Sequence, residues 1–311
     1  MEPTISLSIE KTIADLADSD KPLLNSRLIE LSNLNPEELR FFEQAWAAIE
    51  PKRRRQIVYQ LIELGEDNFE LNFDSLFRNC LKDQDAEVRS KAIEGLWENE
   101  EASLINPLVN LLEQDSSEKV QAAAATALGK FAMLAEHKKL RSCHTSKICQ
   151  ALLTTIGDKS KPIEVRRRAL EAAAPLSLPQ VRKTIMEAYQ SHNPKLRISA
   201  IYAMGKNCNY SWLPLLLKEL ASADAEIRYE AVGACGELGE EEAVPYLIEL
   251  INDPDIDIQL AAIQALGKIG GSEVKECLEQ CLNNPSEVIH QATAQALHEL
   301  ETWEAPFSFG V

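Results

Sequence analysis

The chain has 311 residues, 45% of them hydrophobic, and a formal net charge of −17 at pH 7. No apolar run is long enough to span a bilayer, and the opening MEPTISLSIEK lacks the basic-then-apolar order of a signal peptide. Seven cysteines, an odd number, suit a reducing cytoplasm better than a disulfide framework.

The charge is banded: −10 over 1–111, +9 over 112–218 and −16 over 219–311. Such a basic waist can attract an acidic partner, whereas the acidic ends repel nucleic acid.

Taken in order, residues 1–20 carry a short amphipathic pattern (Ile5, Leu7, Ile9, Ile13, Leu16), expected as a frayed arm or a loosely docked helix. Residues 22–34 read as one helix. Asn35-Pro36-Glu37-Glu38 starts the next, with a capping Asn, Pro at the first helical position and acids in the first turn. Pro51 opens another, with Ile57, Leu61 and Leu64 on one side. Its tract Lys52-Arg53-Arg54-Arg55 reads as a solvated face paired with nearby Glu, or else as a contact for an acidic partner. Residues 71–81 complete this part. It does not keep the 31-residue register of the later chain, so 1–80 is expected as a divergent helical cap.

From residue 81 the chain repeats itself. Anchors fall at Val88, Val120, Val165, Leu196, Ile227, Ile258 and Ile289, and the last four intervals are each 31 residues. The next position reads Arg89, Gln121, Arg166, Arg197, Arg228, Gln259 and His290. Offsets 0, +4, +5 and +8 are apolar or small and share one helical face. Gly129, Gly205, Gly236 and Gly267 stand at +9, and Gly239 and Gly270 sit where a helix should stop. Each repeat is then two antiparallel helices that bury their apolar faces only when stacked. The interval from Val120 to Val165 exceeds 31 by 14 residues. The extra chain, near 131–150, is expected to lengthen a connection.

The acidic turn, the apolar-Arg pair, and Ala and Leu at helical spacing resemble the HEAT repeat. The form of 222–251 looks most like the bacterial subgroup called PBS-lyase-like HEAT repeats. The resemblance covers about 82–300. It implies a right-handed α-solenoid of antiparallel helix pairs, with about seven repeat units over 81–300. The Arg-bearing helix would be second in each pair and line the concave side. Arg89, Arg166, Arg197 and Arg228 would form a structural ladder onto adjacent repeats. The remaining 301–311 is a cap over the last repeat or a docking tail.

Chemistry is sparse. His137, Cys143, His144 and Cys149 match no paired zinc spacing, and Cys277 with Cys281 reads as helix packing. HEAT-like deoxyhypusine hydroxylases bind two irons through His-Glu pairs, but Arg228-Tyr229-Glu230-Ala231 has Tyr where the ligand would stand. No catalytic residue, metal or cofactor is assigned. The expected function is a non-enzymatic scaffold that binds another protein on its concave face. Two alternatives remain. One is a phycobilin-lyase-like accessory protein handling a tetrapyrrole or its carrier. The weaker one is nucleic-acid binding through the basic waist.

With 0, +4, +5 and +8 buried, offsets +2 and +6 point outward. Their ends are polar or small. Their centre brings together Ile198, Tyr202, Tyr229 and Leu260, with Gly233 as a gap, Glu230 inside the patch, and Arg167 and Arg168 flanking it. An apolar patch rimmed by charge, with Tyr at its heart, is the expected partner site.

Overall fold

The computed structural model describes residues 7–304, and every regular element among them is helical. The chain forms two compact units, Met1–Arg168 and Ala169–Val311. The first holds α1 (Leu7–Ala17), α2 (Asn25–Ile29), α3 (Pro36–Trp46), α4 (Pro51–Asp67), α5 (Asp74–Cys80), α6 (Ala86–Gly95), α7 (Ile105–Gln114), α8 (Glu118–Glu136) and α9 (Ser142–Gly157). The division falls within α10 (Ile163–Ala173). The second unit continues with α11 (Pro179–Tyr189), α12 (Pro194–Asn207), α13 (Leu213–Glu219), α14 (Ala225–Leu238), α15 (Val244–Leu250), α16 (Ile256–Ile269), α17 (Ser272–Cys281) and α18 (Glu287–Glu304). The fold is an all-α solenoid of stacked helix pairs.

In the second unit α11 packs on α12, α13 on α14, α15 on α16, and α17 on α18. The later member of each pair also packs on the next, so α12, α14, α16 and α18 form one layer. The anchor positions explain the core: Ile227, Ala231, Val232 and Cys235 of α14 are all buried, as are their equivalents one repeat earlier and one later. Gly239 and Gly270 end α14 and α16 with φ of 76° and 75°, a left-handed backbone that costs glycine little.

Glycines at +9 make close approaches in this layer. A Cβ on Gly205 would lie 2.6 Å from the Cα of Ala234, one on Gly236 would lie 2.8 Å from the Cα of Ala265, and one on Gly267 would lie 2.9 Å from the Cβ of Ala296. Each glycine stands at +9 of one repeat and each alanine at +7 of the next. Bare backbone therefore rests on the smallest side chain three times in succession.

Arginine closes the other end. In the first unit Arg89 forks onto Asp115 through Nε (2.7 Å) and Nη2 (2.8 Å), and its Nη1 donates to the Asp83 carbonyl at 2.7 Å. In the second, Arg228 forks onto Asp253 (2.9 and 3.1 Å) and donates to the Ser222 carbonyl at 2.8 Å. Arg197 reaches Glu219 at 2.8 Å. Arg166 departs from the ladder: its Nε donates to the Ile156 carbonyl at 2.9 Å. Gln259, in place of Arg, donates to the Asp253 carbonyl at 2.6 Å.

The repeat plan begins earlier than residue 81. Arg54, the fourth residue of α4 as Arg89 is of α6, forms an ion pair with Asp83 at 3.0 Å. Arg53 takes the anchor position. It is buried, donating to the carbonyls of Leu16 (2.9 Å) and Lys21 (3.0 Å), with Ile57, Val58 and Leu61 buried at +4, +5 and +8. Arg55 holds Asp85. Arg53 and Arg54 are thus a packed joint rather than a solvated face, whereas Lys52 and Arg55 stay exposed.

Of the two states expected for the first residues, the structure has the docked helix, α1, with Ile9, Ile13 and Leu16 buried. Residues 22–34 hold only the short α2, and Asn33 turns the chain with φ of 56°. Asn35 caps α3 as expected, accepting from the Glu37 and Glu38 amides while Glu38 accepts from the Asn35 amide. The extra 14 residues enter helices: α8 has 19 residues against 14 in α12, α14 and α16, and α9 has 16 against 11 in α11 and 10 in α17. Residues 301–304 continue α18, and the rest of the expected cap or tail lies outside the described residues.

The glycine layer and the arginine forks each have a measurable consequence. Gly236→Ala should lower the urea-unfolding stability by about 1–3 kcal/mol, the cost of overpacking. Gly233→Ala, whose Cβ meets nothing within 4 Å, should raise it by up to about 1 kcal/mol through helix propensity.

For Asp253, burial alone would raise the carboxyl pKa. The Arg228 fork and the Asp255 amide outweigh it and hold the group below the usual carboxylate range. The stability it contributes is complete above the unfolded value of about 3.9 and is lost as pH falls through the folded one. Arg228→Ala should cost about 1–3 kcal/mol at pH 7, and its unfolding midpoint should fall less between pH 7 and pH 3 than the parent's.

Candidate partner-binding groove

The surface of α14 divides cleanly along its register. Offsets 0, +4, +5, +7 and +8 are buried, while Tyr229 at +2 is 46% exposed and Gly233 at +6 is open. On α12 the +6 residue, Tyr202, is 38% exposed. The two tyrosines face a cavity of about 340 Å³ with Gly233 and Ala234 among its lining. The polar lining comprises Glu230, Gln264 and a charged triplet: Lys206 and Lys268 both donate to Glu237, at 2.9 and 2.6 Å. Burial works against ionisation of Glu237, but the two ammonium donors prevail and keep its pKa below the ordinary range. Lys206 also lies over the Tyr202 ring, 5.9 Å from its centroid.

A second cavity of about 590 Å³ adjoins it and shares Tyr229, Ala261 and Gln264. Leu260, half-buried, is its apolar wall. Its charged lining is Glu226, Asp255 and Asp257. Together the cavities make one groove across α12, α14 and α16, apolar in its middle, neutral at one end and acidic at the other.

Five of the expected site residues therefore meet here: Tyr202, Tyr229, Glu230, Gly233 and Leu260. Three do not. Ile198 is 6% exposed and belongs to the core. The cover on α12 spans a wider arc than the four-offset rule allows: Ser199 at +3 and Ala203 at +7 are buried, and Ser199 Oγ donates to Glu171 at 2.6 Å. Arg167 and Arg168 lie in the first unit and bond Glu164 at 3.1 and 2.9 Å.

Arg168 instead lines a groove of about 540 Å³ in that first unit, with Trp97, Ala122, Ala123, Ala127 and Phe131. Trp97 is 61% exposed. Lys130 secures this wall by donating to the carbonyls of Trp97 and Asn99, the latter at 2.6 Å. The +2 and +6 columns pass through it as Ser90, Glu94, Ala122 and Thr126, which reads as a solvated face. The signal for a groove was the alanine run 122–127, which strips one side of α8 of bulk.

Among the described residues no three His, Cys, Asp or Glu side chains gather so as to hold a metal ion, and no helix is long and apolar enough to cross a membrane.

The HEAT-repeat family profile matches residues 74–147 and 213–298, just over half of the chain. No curated protein matches it in sequence. Among solved structures, the complex of CpcE and CpcF of phycocyanin lyase from Nostoc sp. PCC7120 is similar at 17% identity and a TM-score of 0.51, over 96% of this chain and 97% of that one. YibA of Escherichia coli is 17% identical with a TM-score of 0.47, over 78% and 96%. Human deoxyhypusine hydroxylase is 17% identical with a TM-score of 0.36, over 94% and 96%. At these identities the likeness is one of fold.

Exposure separates the groove from the core in a measurable way. Ile198→Ala should cost about 2–4 kcal/mol in urea unfolding, whereas Tyr229→Ala should change stability by less than about 0.5 kcal/mol.

Proposed function

We propose, because this chain belongs to the HEAT-repeat family, that it is a non-catalytic module which binds another protein in the groove between Tyr202 and Tyr229. The observation that carries this reading is the pair of half-exposed tyrosines across the open surface of Gly233. Two amphipathic rings held on a rigid helix layer lose little entropy on contact, and tyrosine is among the residues that dominate binding energy. In the ion triplet Lys206–Glu237–Lys268 both ammoniums bond the one carboxylate, so closing the groove leaves none of these three without a partner. The repeats act as scaffold: Arg89, Arg197 and Arg228 are consumed by carboxylates of the fold. A reducing cytoplasm suits the free thiols of Cys80 and Cys235, both buried in the core.

A second reading is supported by the fold likeness to the phycocyanin lyase complex across nearly the whole of both chains. On that reading the partner is a tetrapyrrole or the protein that carries it. A visible absorbance shift on mixing the purified protein with a bilin would favour it over the first.

The protein-binding reading is tested by placing a photo-crosslinking amino acid at position 233 in the source cell. One protein should be cross-linked there in preference to an exposed position outside the groove such as Lys183 on α11. The adduct should disappear when Tyr202→Ala and Tyr229→Ala are combined. A cross-linking pattern at 233 that matches the control position would overturn the reading.

A further inference from the structure

The two ends of the groove differ in charge, and the difference specifies a partner. At the end between Tyr202 and Gly233 the lining carries Lys206, Lys268, Glu230 and Glu237, two charges of each sign. At the other end it carries Glu226, Asp255 and Asp257, and no lining residue there is basic. Arg228 is already forked onto Asp253. The surrounding chain adds to the imbalance, since residues 219–311 carry 19 acids and 3 bases. A groove with a negative potential at one end raises the local concentration of a cation and rejects an anion. Tyr229 stands at the junction and lines both cavities, so its ring is available to a cation entering the acidic end.

The neutral end asks for something else. Gly233 offers bare helix backbone with open space above it, between two aromatic rings. An apolar side chain seated there would cover Ala234 and both ring faces without meeting an uncompensated charge.

The helix sets the distance between the two seats. Gly233 and Glu226 are seven residues apart on α14, an axial separation of about 10 Å at 1.5 Å per residue. An extended peptide advances about 3.3 Å per residue, so three residues span that distance. In the polyproline II form of an extended segment, three residues per turn at about 3.1 Å each bring side chains three apart onto one face about 9 Å apart, so both seats are reached without a turn.

We propose, on the premise that this groove is the protein-binding site, that it recognises an extended segment of a partner protein. That segment presents one Lys or Arg to Glu226, Asp255 and Asp257. Three residues away it presents one large apolar side chain to Gly233 between Tyr202 and Tyr229. Nucleic acid is the wrong sign for this surface. A partner rich in Asp and Glu would be repelled by it.

The probe is a synthetic octapeptide, Ser-Gly-Phe-Ser-Ala-Arg-Gly-Ser, titrated into the full chain and followed at the Gly233 amide by NMR. Comparison peptides place Phe and Arg adjacent, or replace Arg by Glu. The spaced peptide should bind about tenfold more tightly than either, a difference of about 1.4 kcal/mol. Tyr229→Ala changes no charge and should weaken it about tenfold. Combining Glu226→Gln with Asp257→Asn should weaken it similarly and flatten its salt dependence. Equal affinity for the spaced and the adjacent peptide, or an unchanged affinity in Tyr229→Ala, would show simple attraction to an acidic protein and overturn the proposal, and equal affinity for the Arg and the Glu peptide would overturn it by showing that the acidic end reads no charge. The premise has its own readout. A cross-linked partner at position 233 whose attached segment lacks an apolar residue three from a base refutes this recognition rule and leaves the protein-binding reading intact. Absence of any cross-linked partner refutes both.

Discussion

The second unit depends on a contact that has no functional groups in it: the backbone of Gly205, Gly236 and Gly267 lying against Ala234, Ala265 and Ala296. A single added carbon at any of these glycines would sit 2.6–2.9 Å from the neighbouring alanine, closer than packed atoms come. The contact therefore fixes how near each helix of the layer lies to the next, and with it where the side chains on either side are carried. Tyr202 and Tyr229 stand on adjacent helices joined by the first of these contacts. Their separation follows from Gly205 against Ala234, with the Lys206–Glu237 ion pair linking the same two helices inside the groove.

The arginine forks complement that contact chemically. Glycine on alanine is short-ranged and indifferent to pH and salt. The forks of Arg89 and Arg228 are directional and tie the start of one helix to the turn before the next. Asp115 and Asp253 each do a second job, accepting the amide of Ser117 and of Asp255 respectively. One carboxylate thus orders its own turn and receives the neighbour's guanidinium. Gln259 keeps only the link to its own turn, to the Asp253 carbonyl, and gives up the reach to the next. The joint after α16 consequently has one strong bond fewer, and it borders the last helix pair.

Much of this was legible because a repeat announces its own spacing. Four anchors 31 residues apart located α12, α14, α16 and α18, and the same offsets separated Tyr229 and Gly233 from the core. Legibility failed where one residue type did an unexpected task. Arg53 sits at an anchor, and a search for apolar anchors passes over it; only the carbonyls of Leu16 and Lys21 make its burial tolerable. Ile198 obeys the outward offset by count and violates it in space, because α12 is covered over a wider arc than α14. The 14 extra residues carry no mark that distinguishes a longer helix from a longer loop. The groove in the first unit arises from what Ala122, Ala123 and Ala127 lack, and missing bulk leaves little trace in a pattern built on large side chains.

Identical joints also make the repeats interchangeable. Were one 31-residue unit excised between α12 and α16, Gly205 would meet Ala265 in place of Ala234, and the same surfaces would mate. A gene encoding such a chain can gain or lose copies by unequal recombination and still specify a folded product, because each junction presents the next with the same socket. The groove has no such freedom. Tyr229 is supplied by one copy alone, and its equivalents one repeat earlier and later are Ile198 and Leu260. Selection on binding, rather than on folding, is then what would hold the number and order of these repeats constant.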